Sequence, residues 1–283
     1  MNPKPHDETT RHSILNGTLH LALDMDGTLY KGSTLFAAAK PFMECLKTHG
    51  ITYTFFTNNS SRSADEHVDN LADLGIEARV EQIRTSAHAT VDYLKLNYPG
   101  VKSLFVVGTP GLRAELYQAG YRLTRAKPEL IIVGFDPSLS YTDLCKAAYW
   151  IDRGLDYVAT HPDFVCPTDQ PTLVLDCGAL CAAIEAATGR APVATMGKPH
   201  PIMIEGILKR RQLSHSQLMV VGDRLYTDIA MANAVGVHSA LVLTGEATRA
   251  DMANSPFQPD FVFQSVAELG EALTESFRST QQR

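Results

Sequence analysis

Short apolar runs of strand length alternate with longer helical patterns along nearly the whole chain. LHLALD is followed by a helical pattern over 36–49, then ITYTFFTNN, then a helical pattern over 63–74. A parallel pair of strands needs a long crossover, most often a helix, so this rhythm restricts the chain to parallel sheets flanked by helices. A second series repeats it: a helical pattern over 86–97, SLFVVG, a helix over 111–119, ELIIVGFD, a helix over 144–153, and YVATH. After 189–192 (GRAP) come a helix over 202–211, QLMVVGD, a helix over 227–234, SALVLTG and FVFQSVAEL.

The last series resembles the first in style more than it resembles the middle. The expected organisation is one α/β core built from both ends of the chain, residues 1–84 and 193–283, interrupted by an α/β insertion over 85–192. At 283 residues the chain has room for two such bodies. The polar N-terminal segment and the Gln281-Gln282-Arg283 end are expected to fray.

Composition narrows the function classes. Net charge is -6, and no basic block exceeds Lys209-Arg210-Arg211, placed on an exposed helix face. The electrostatic footprint of a nucleic-acid binder is therefore missing. Residues 1–17 carry no apolar signal core and no run is long enough for a membrane span, so no membrane partner and a cytoplasmic location are expected. The five cysteines form no C-x-x-C pair and fit reduced thiols. Cys177 and Cys181, on one expected helix, are disfavoured as metal ligands.

The first apolar run ends in Asp24 and Asp26, separated by Met25 and followed by Gly27 and Thr28. Like charges held so close cannot both stay ionised in a dry site without help. In open α/β sheets the ligand site lies beyond the carboxyl ends of the strands. There the second strand ends in Thr57-Asn58-Asn59-Ser60-Ser61, a source of hydroxyl and N–H donors for an anion. Gly197-Lys198-Pro199 puts a lysine in a tight turn, and QLMVVGDRLYTDI ends at Gly222-Asp223 with Asp228 following. Acid-only oxygen ligands suit Mg²⁺, and that ion with Lys198 would hold the carboxylates ionised. Each motif alone is commonplace: Asp-x-Asp is most often a turn or cap, and Gly27 could be any turn glycine or one that turns the strand exit sharply.

Together and in this order, Asp24-Met25-Asp26-Gly27-Thr28, Thr57-Asn58-Asn59-Ser60-Ser61, Gly197-Lys198-Pro199 and Gly222-Asp223-Arg224-Leu225-Tyr226-Thr227-Asp228 resemble the four motifs of the haloacid dehalogenase superfamily. The resemblance is closest to its NagD-like or p-nitrophenylphosphatase-like branch. It implies a Rossmann-like parallel-sheet core with an inserted α/β cap. It also implies a Mg²⁺-dependent phosphatase of small phosphorylated metabolites, of the sugar phosphate, nucleotide monophosphate, phosphoglycolate or pyridoxal phosphate class, working through an aspartyl-phosphate.

On this resemblance Asp24 is the nucleophile and Asp26 the general acid and base. Mg²⁺ is held by Asp24, Asp223 and the main-chain carbonyl of Asp26, with Asp228 supporting from behind. The Thr57 hydroxyl, the Asn58 N–H and Lys198 bind the phosphoryl oxygens. In the cap, Asp176-Cys177-Gly178 resembles the substrate-specificity loop, where Asp176 is equally a helix N-cap. His161, where relatives carry Asn, is expected to be an ordinary surface histidine. A homo-oligomer through the cap fits the same resemblance. The rival readings are phosphoryl transfer to a second alcohol and a non-catalytic phosphometabolite-binding or regulatory protein on the same fold.

Overall fold

The computed structural model describes residues 6–166 and 171–281. In chain order its elements begin with α1 (Glu8–Gly17), β1 (His20–Asp24), β2 (Tyr30–Lys31), β3 (Thr34–Leu35), α2 (Ala39–Thr48), β4 (Thr52–Thr57) and α3 (Ala64–Asp73). There follow β5 (Ile83–Thr85), α4 (Ser86–Asn97), β6 (Ser103–Val107), α5 (Pro110–Gln118), β7 (Arg122–Leu123), β8 (Leu130–Val133), α6 (Tyr141–Asp152) and β9 (Tyr157–Ala159). Then come β10 (Val165–Cys166), β11 (Val174–Leu175), α7 (Cys177–Thr188), β12 (Ala194–Thr195), α8 (Ile202–Arg211) and β13 (Leu218–Gly222). The chain ends with α9 (Ala230–Val235), β14 (His238–Val242), α10 (Arg249–Asn254), β15 (Phe261–Phe263) and α11 (Val266–Gln281).

The chain forms two compact units: Met1–Phe56 with Leu71–Gln82 and Ile204–Arg283, and Thr57–Asn70 with Ile83–Met203. The segments 57–70, 83–84 and 193–203, grouped with the core in the sequence reading, thus fall in the second unit.

In the first unit β15, β14, β13, β1 and β4 lie side by side in that order, all parallel. Every residue of β1 and of β13 is buried, as expected where helices cover both faces of a parallel sheet. Over residues 8–17 the N-terminal segment corrects the expectation of a frayed tail, while residues 1–5 lie outside the described residues. It forms α1, which buries Ile14 and Leu15 and sets the Arg11 guanidinium 4.8 Å from the centre of the Phe261 ring. A ten-residue helix is marginal alone in water. Burying two aliphatic side chains, at about 1.5–3 kcal/mol each, supplies what propensity lacks. At the other end Gln281 closes α11 rather than fraying, and Gln282 and Arg283 lie outside the described residues.

In the second unit β12, β9, β8, β6 and β7 form another parallel sheet, and β10 and β11 form an antiparallel pair. Its core packs Phe105, Ile131, Val133, Ile151 and Tyr157 against Cys177, Cys181 and Ile184 of α7. α5 starts where the sequence signals it: the Thr109 side chain accepts the Leu112 N–H and Pro110 occupies the first turn. No helix among the described residues is long and apolar enough to cross a membrane.

Candidate active site

Within the first unit, β1 and β13 are neighbours with Leu23 opposite Val221, so Asp24 and Gly222 end adjacent parallel strands and Asp223 is the next residue out. This is the edge at which such sheets gather ligands. Asp24, Asp223 and Asp228 are all buried, and each offers a carboxylate oxygen within 4.8 Å of the others. Burial, then the charges of Asp24 and Asp228, push Asp223 up to about 8, against the opposing pull of the Glu246 N–H and Arg224. Its buried Oδ1 has no hydrogen-bond partner. An orphaned carboxylate oxygen among three dry acids, with no imidazole or thiolate in the group, is the donor set of a hard divalent cation.

The surrounding chain is shaped to hold these acids. Glu246 N donates to Asp223 Oδ2 at 2.7 Å, Arg224 N to Asp228 Oδ2 at 3.2 Å, and the Thr28 hydroxyl to Asp24 Oδ2 at 3.4 Å. Gly27, at φ +87°, turns the chain out of β1, and a Cβ there would meet Asp223 Cγ at 2.7 Å. A Cβ on Gly245 would meet Asp223 Cβ at 2.7 Å, and one on Gly222 would meet Asp228 Cβ at 2.6 Å. The helix expected over 227–234 opens instead with a π-helical turn, Leu225–Ile229, before α9. That turn brings Asp228 back against Gly222. Asp26 is exposed in the turn after β1 and bridges to Tyr30.

Sequence reasoning missed Thr244, Gly245 and Glu246. The Thr244 hydroxyl caps the Gly27 carbonyl at 2.6 Å, so this loop braces both Asp223 and the turn that carries Asp26. The only local signal was a Thr-Gly-Glu directly after an apolar strand.

In the second unit a separate polar cluster forms around Asn58, which is buried at the end of β4. Its Oδ1 accepts the Lys198 N–H at 2.5 Å, and its Nδ2 donates to the Lys198 carbonyl at 3.1 Å and to Asp163 Oδ2 at 2.8 Å. The Thr57 hydroxyl accepts the Asn59 N–H at 3.1 Å. Lys198 is itself buried, preceded by Gly197 at φ +73° and joined to Pro199 by a cis peptide. Thr57, Asn58 and Lys198 are thus brought together by β4 and the turn before α8.

His161 is a correction. It is 1% exposed rather than a surface residue, with Nε2 2.7 Å from Asp176 Oδ1 and Nδ1 2.8 Å from the Thr160 hydroxyl. Burial disfavours its charged form, but Cys177, Asp176 and Asp163 outweigh burial and raise it to about 9. Cys177 is drawn down to about 6: burial opposes this, and the Cys181 thiol and His161 overcome it. Asp176 takes up its N-cap role on α7, accepting the Cys177 N–H at 2.6 Å. Cys177 and Gly178 are buried in the first turn of α7, and Gly178 N donates to the Asp163 carbonyl at 2.8 Å.

Comparison with known proteins finds two matching family models. One, haloacid dehalogenase-like hydrolase, matches residues 21–122, and the other, HAD-hydrolase-like, matches residues 195–269. The ribonucleotide monophosphatase NagD of Escherichia coli K12 is 34% identical over 246 residues, 87% of this chain and 96% of that protein. A 4-nitrophenylphosphatase from Thermotoga maritima superposes with a TM-score of 0.87 at 36% identity, covering 92% of this chain and 99% of the other. A glycerol phosphate phosphatase from Mycobacterium tuberculosis, solved in complex with magnesium, gives 0.83 at 31% identity over 92% of this chain and 77% of its own.

Proposed function

The chain belongs to the haloacid dehalogenase-like hydrolases, in their NagD- and p-nitrophenylphosphatase-like branch, and is a phosphatase of small phosphorylated substrates; on that premise we propose that Asp24 is its nucleophile and Asp26 its general acid and base. The observation that carries this reading is the convergence of three buried carboxylates, one with an orphaned oxygen, at the ends of adjacent parallel strands.

A divalent metal belongs to this chemistry, and Mg²⁺ is the ion we assign. Asp24, Asp223 and the main-chain carbonyl of Asp26 would hold it, with Asp228 behind them. Bound there, the ion supplies positive charge that keeps Asp24 ionised and offsets the charge of the phosphoryl oxygens. The magnesium complex of the Mycobacterium tuberculosis relative supports this choice.

A carboxylate oxygen of Asp24 attacks phosphorus while the bond from phosphorus to the leaving oxygen breaks, and Asp26 gives that oxygen its proton. Water then attacks the aspartyl-phosphate. Asp26 takes the water's proton, the acyl-phosphate bond opens and inorganic phosphate leaves with Asp24 restored. The exposure of Asp26 suits a group that must trade protons with both alcohol and water. The Thr57 hydroxyl, the Asn58 N–H and the Lys198 ammonium grip the phosphoryl oxygens, supplying position and charge.

We keep residues 85–192 as the substrate-reading cap, with Asp176, Cys177 and Gly178 shaping its loop. A homo-oligomer through that cap would bury Phe164, Leu173 and Leu175, which are exposed. The five free cysteines favour the cytoplasm. The test is phosphate release from a panel of phosphorylated metabolites with Mg²⁺, by the wild type and by Asp24→Asn. Turnover of at least one ester that Asp24→Asn abolishes while remaining folded supports the reading; substantial residual turnover rejects Asp24 as nucleophile.

A further inference from the structure

We propose that Asp163 is a positioning residue for the phosphate grip: its carboxylate fixes the Asn58 amide that braces Lys198, and its main-chain carbonyl ties the same turn to the first turn of α7. This rests on the assignment of Asn58 and Lys198 to phosphate binding made above.

The Asn58 side chain makes three hydrogen bonds: Oδ1 to the Lys198 N–H, and Nδ2 to both the Lys198 carbonyl and Asp163 Oδ2. An amide turned over by half a rotation would point its oxygen at an ionised carboxylate, which can only accept. Asp163 therefore reinforces the orientation, also required by the Lys198 N–H, in which Asn58 pairs with both the N–H and the carbonyl of Lys198. A charge-assisted bond of 2.8 Å at a buried amide is stronger than a neutral one and difficult to replace with water. The backbone of Asn58 is fixed independently, because its carbonyl accepts the Ser86 hydroxyl at 2.7 Å.

The turn that carries Asp163 is anchored on its other side. The Asp163 carbonyl accepts the Gly178 N–H at 2.8 Å, and the Phe164 carbonyl accepts the Asp176 N–H at 3.0 Å. His161 in the same turn pairs with Asp176. A Cβ at Gly178 would lie 3.0 Å from the Asp163 carbonyl and 3.1 Å from the Phe164 ring, so no side chain separates the helix start from the turn. A displacement of the α7 start, the stretch assigned to substrate reading, therefore moves Asp163, and with it the orientation of Asn58 and the placement of Lys198.

The test measures inorganic phosphate binding by calorimetry, in the presence of Mg²⁺, and kcat/KM for several esters, in the full chain. Asp163→Ala should weaken phosphate binding by about 10- to 100-fold and lower every ester by one common factor, as loss of a group that orients a binding residue does. Asp163→Asn, which keeps an acceptor oxygen but not the charge, should recover part of the loss. In an Asn58→Ala background Asp163→Ala should cost little further, a coupling that a general structural role would not produce. Unchanged phosphate affinity, a change confined to the ranking of esters, or full additivity with Asn58→Ala would each overturn the proposal. If Asp163→Ala does not fold, Asp163→Asn decides: wild-type phosphate affinity refutes, a weakened one supports. A wild type that hydrolyses no ester would reject the phosphatase assignments, while phosphate binding by the same variants still judges Asp163.

Discussion

Nε2 of His161 and Oδ1 of Asp176 lie 2.7 Å apart, joining two buried side chains. Although burial works against it, His161 is raised to about 9 by Cys177, Asp176 and Asp163. A histidine whose folded value lies above its unfolded one contributes stability that is fully present below the unfolded pKa and is lost as pH rises through the folded pKa. In a Cys177→Ala background, where the opposite linkage of the lowered thiol no longer cancels it, the unfolding free energy of the His161 protein minus that of His161→Gln, from denaturant titrations, should therefore shrink as pH rises above about 6.5. A difference that does not vary with pH removes the charged pair. Asp176→Ala should cost about 3–5 kcal/mol, because it strands a buried cation as well as uncapping α7.

Asp223 carries linkage of the same sign in a lower pH window. Burial and the neighbouring acids raise its carboxyl to about 8, so without a cation the folded state holds a proton that the unfolded state releases near pH 4. The metal-free protein should lose this contribution progressively from about pH 4 to 8, the window between the two values. A bound divalent ion displaces that proton. The rise in Tm from saturating Mg²⁺ over chelator should therefore grow with pH up to about 8 and level off above it. Equal increments at all pH values would show that Asp223 is not part of the cation site.

Gly27→Ala tests the geometry of the same acids. The substitution would be strained at φ +87° and would drive a methyl into Asp223, whose Cγ would lie 2.7 Å from the new Cβ. The backbone penalty is about 1 kcal/mol, too little to unfold a domain of this size. The expected result is a folded protein whose Mg²⁺ requirement rises by roughly 10-fold or more, read from activity against Mg²⁺ concentration. An unchanged requirement would mean that the Asp223 carboxylate can shift without consequence.

The strand-end acids were legible because a parallel strand announces itself as an apolar run, and Asp24 and Gly222-Asp223 terminate two of them. The parallel α/β character followed from the same alternation. What stayed hidden depends on contacts remote in sequence. His161 meets Asp176 across 15 residues, and no local pattern marks a histidine between threonine and proline as buried. Glu246 reaches Asp223 across 23 residues through a backbone N–H, to which side-chain identity gives no clue. α1 was obscured because Ile14 and Leu15 are too few to set a helical period, so its formation depends on burial and not on pattern.

Asp26 is tested by the leaving group. Protonating an alkoxide as it departs is worth about 10²–10⁴-fold, whereas p-nitrophenolate leaves without assistance. Asp26→Asn should therefore approach the full loss on an alkyl phosphate and lose far less in the first step on p-nitrophenyl phosphate. The second step differs, since water attacking the aspartyl-phosphate needs the same base whatever alcohol has left. With p-nitrophenyl phosphate the variant should release a burst of p-nitrophenol close to one equivalent per enzyme, followed by a slow steady state, because Asp24 is still competent to attack while its phosphoryl adduct now hydrolyses slowly. Rapid mixing resolves the burst and its amplitude counts the adduct. Equal losses on both esters without a burst would take Asp26 out of both proton transfers and leave the exposed turn after β1 with only a positioning role.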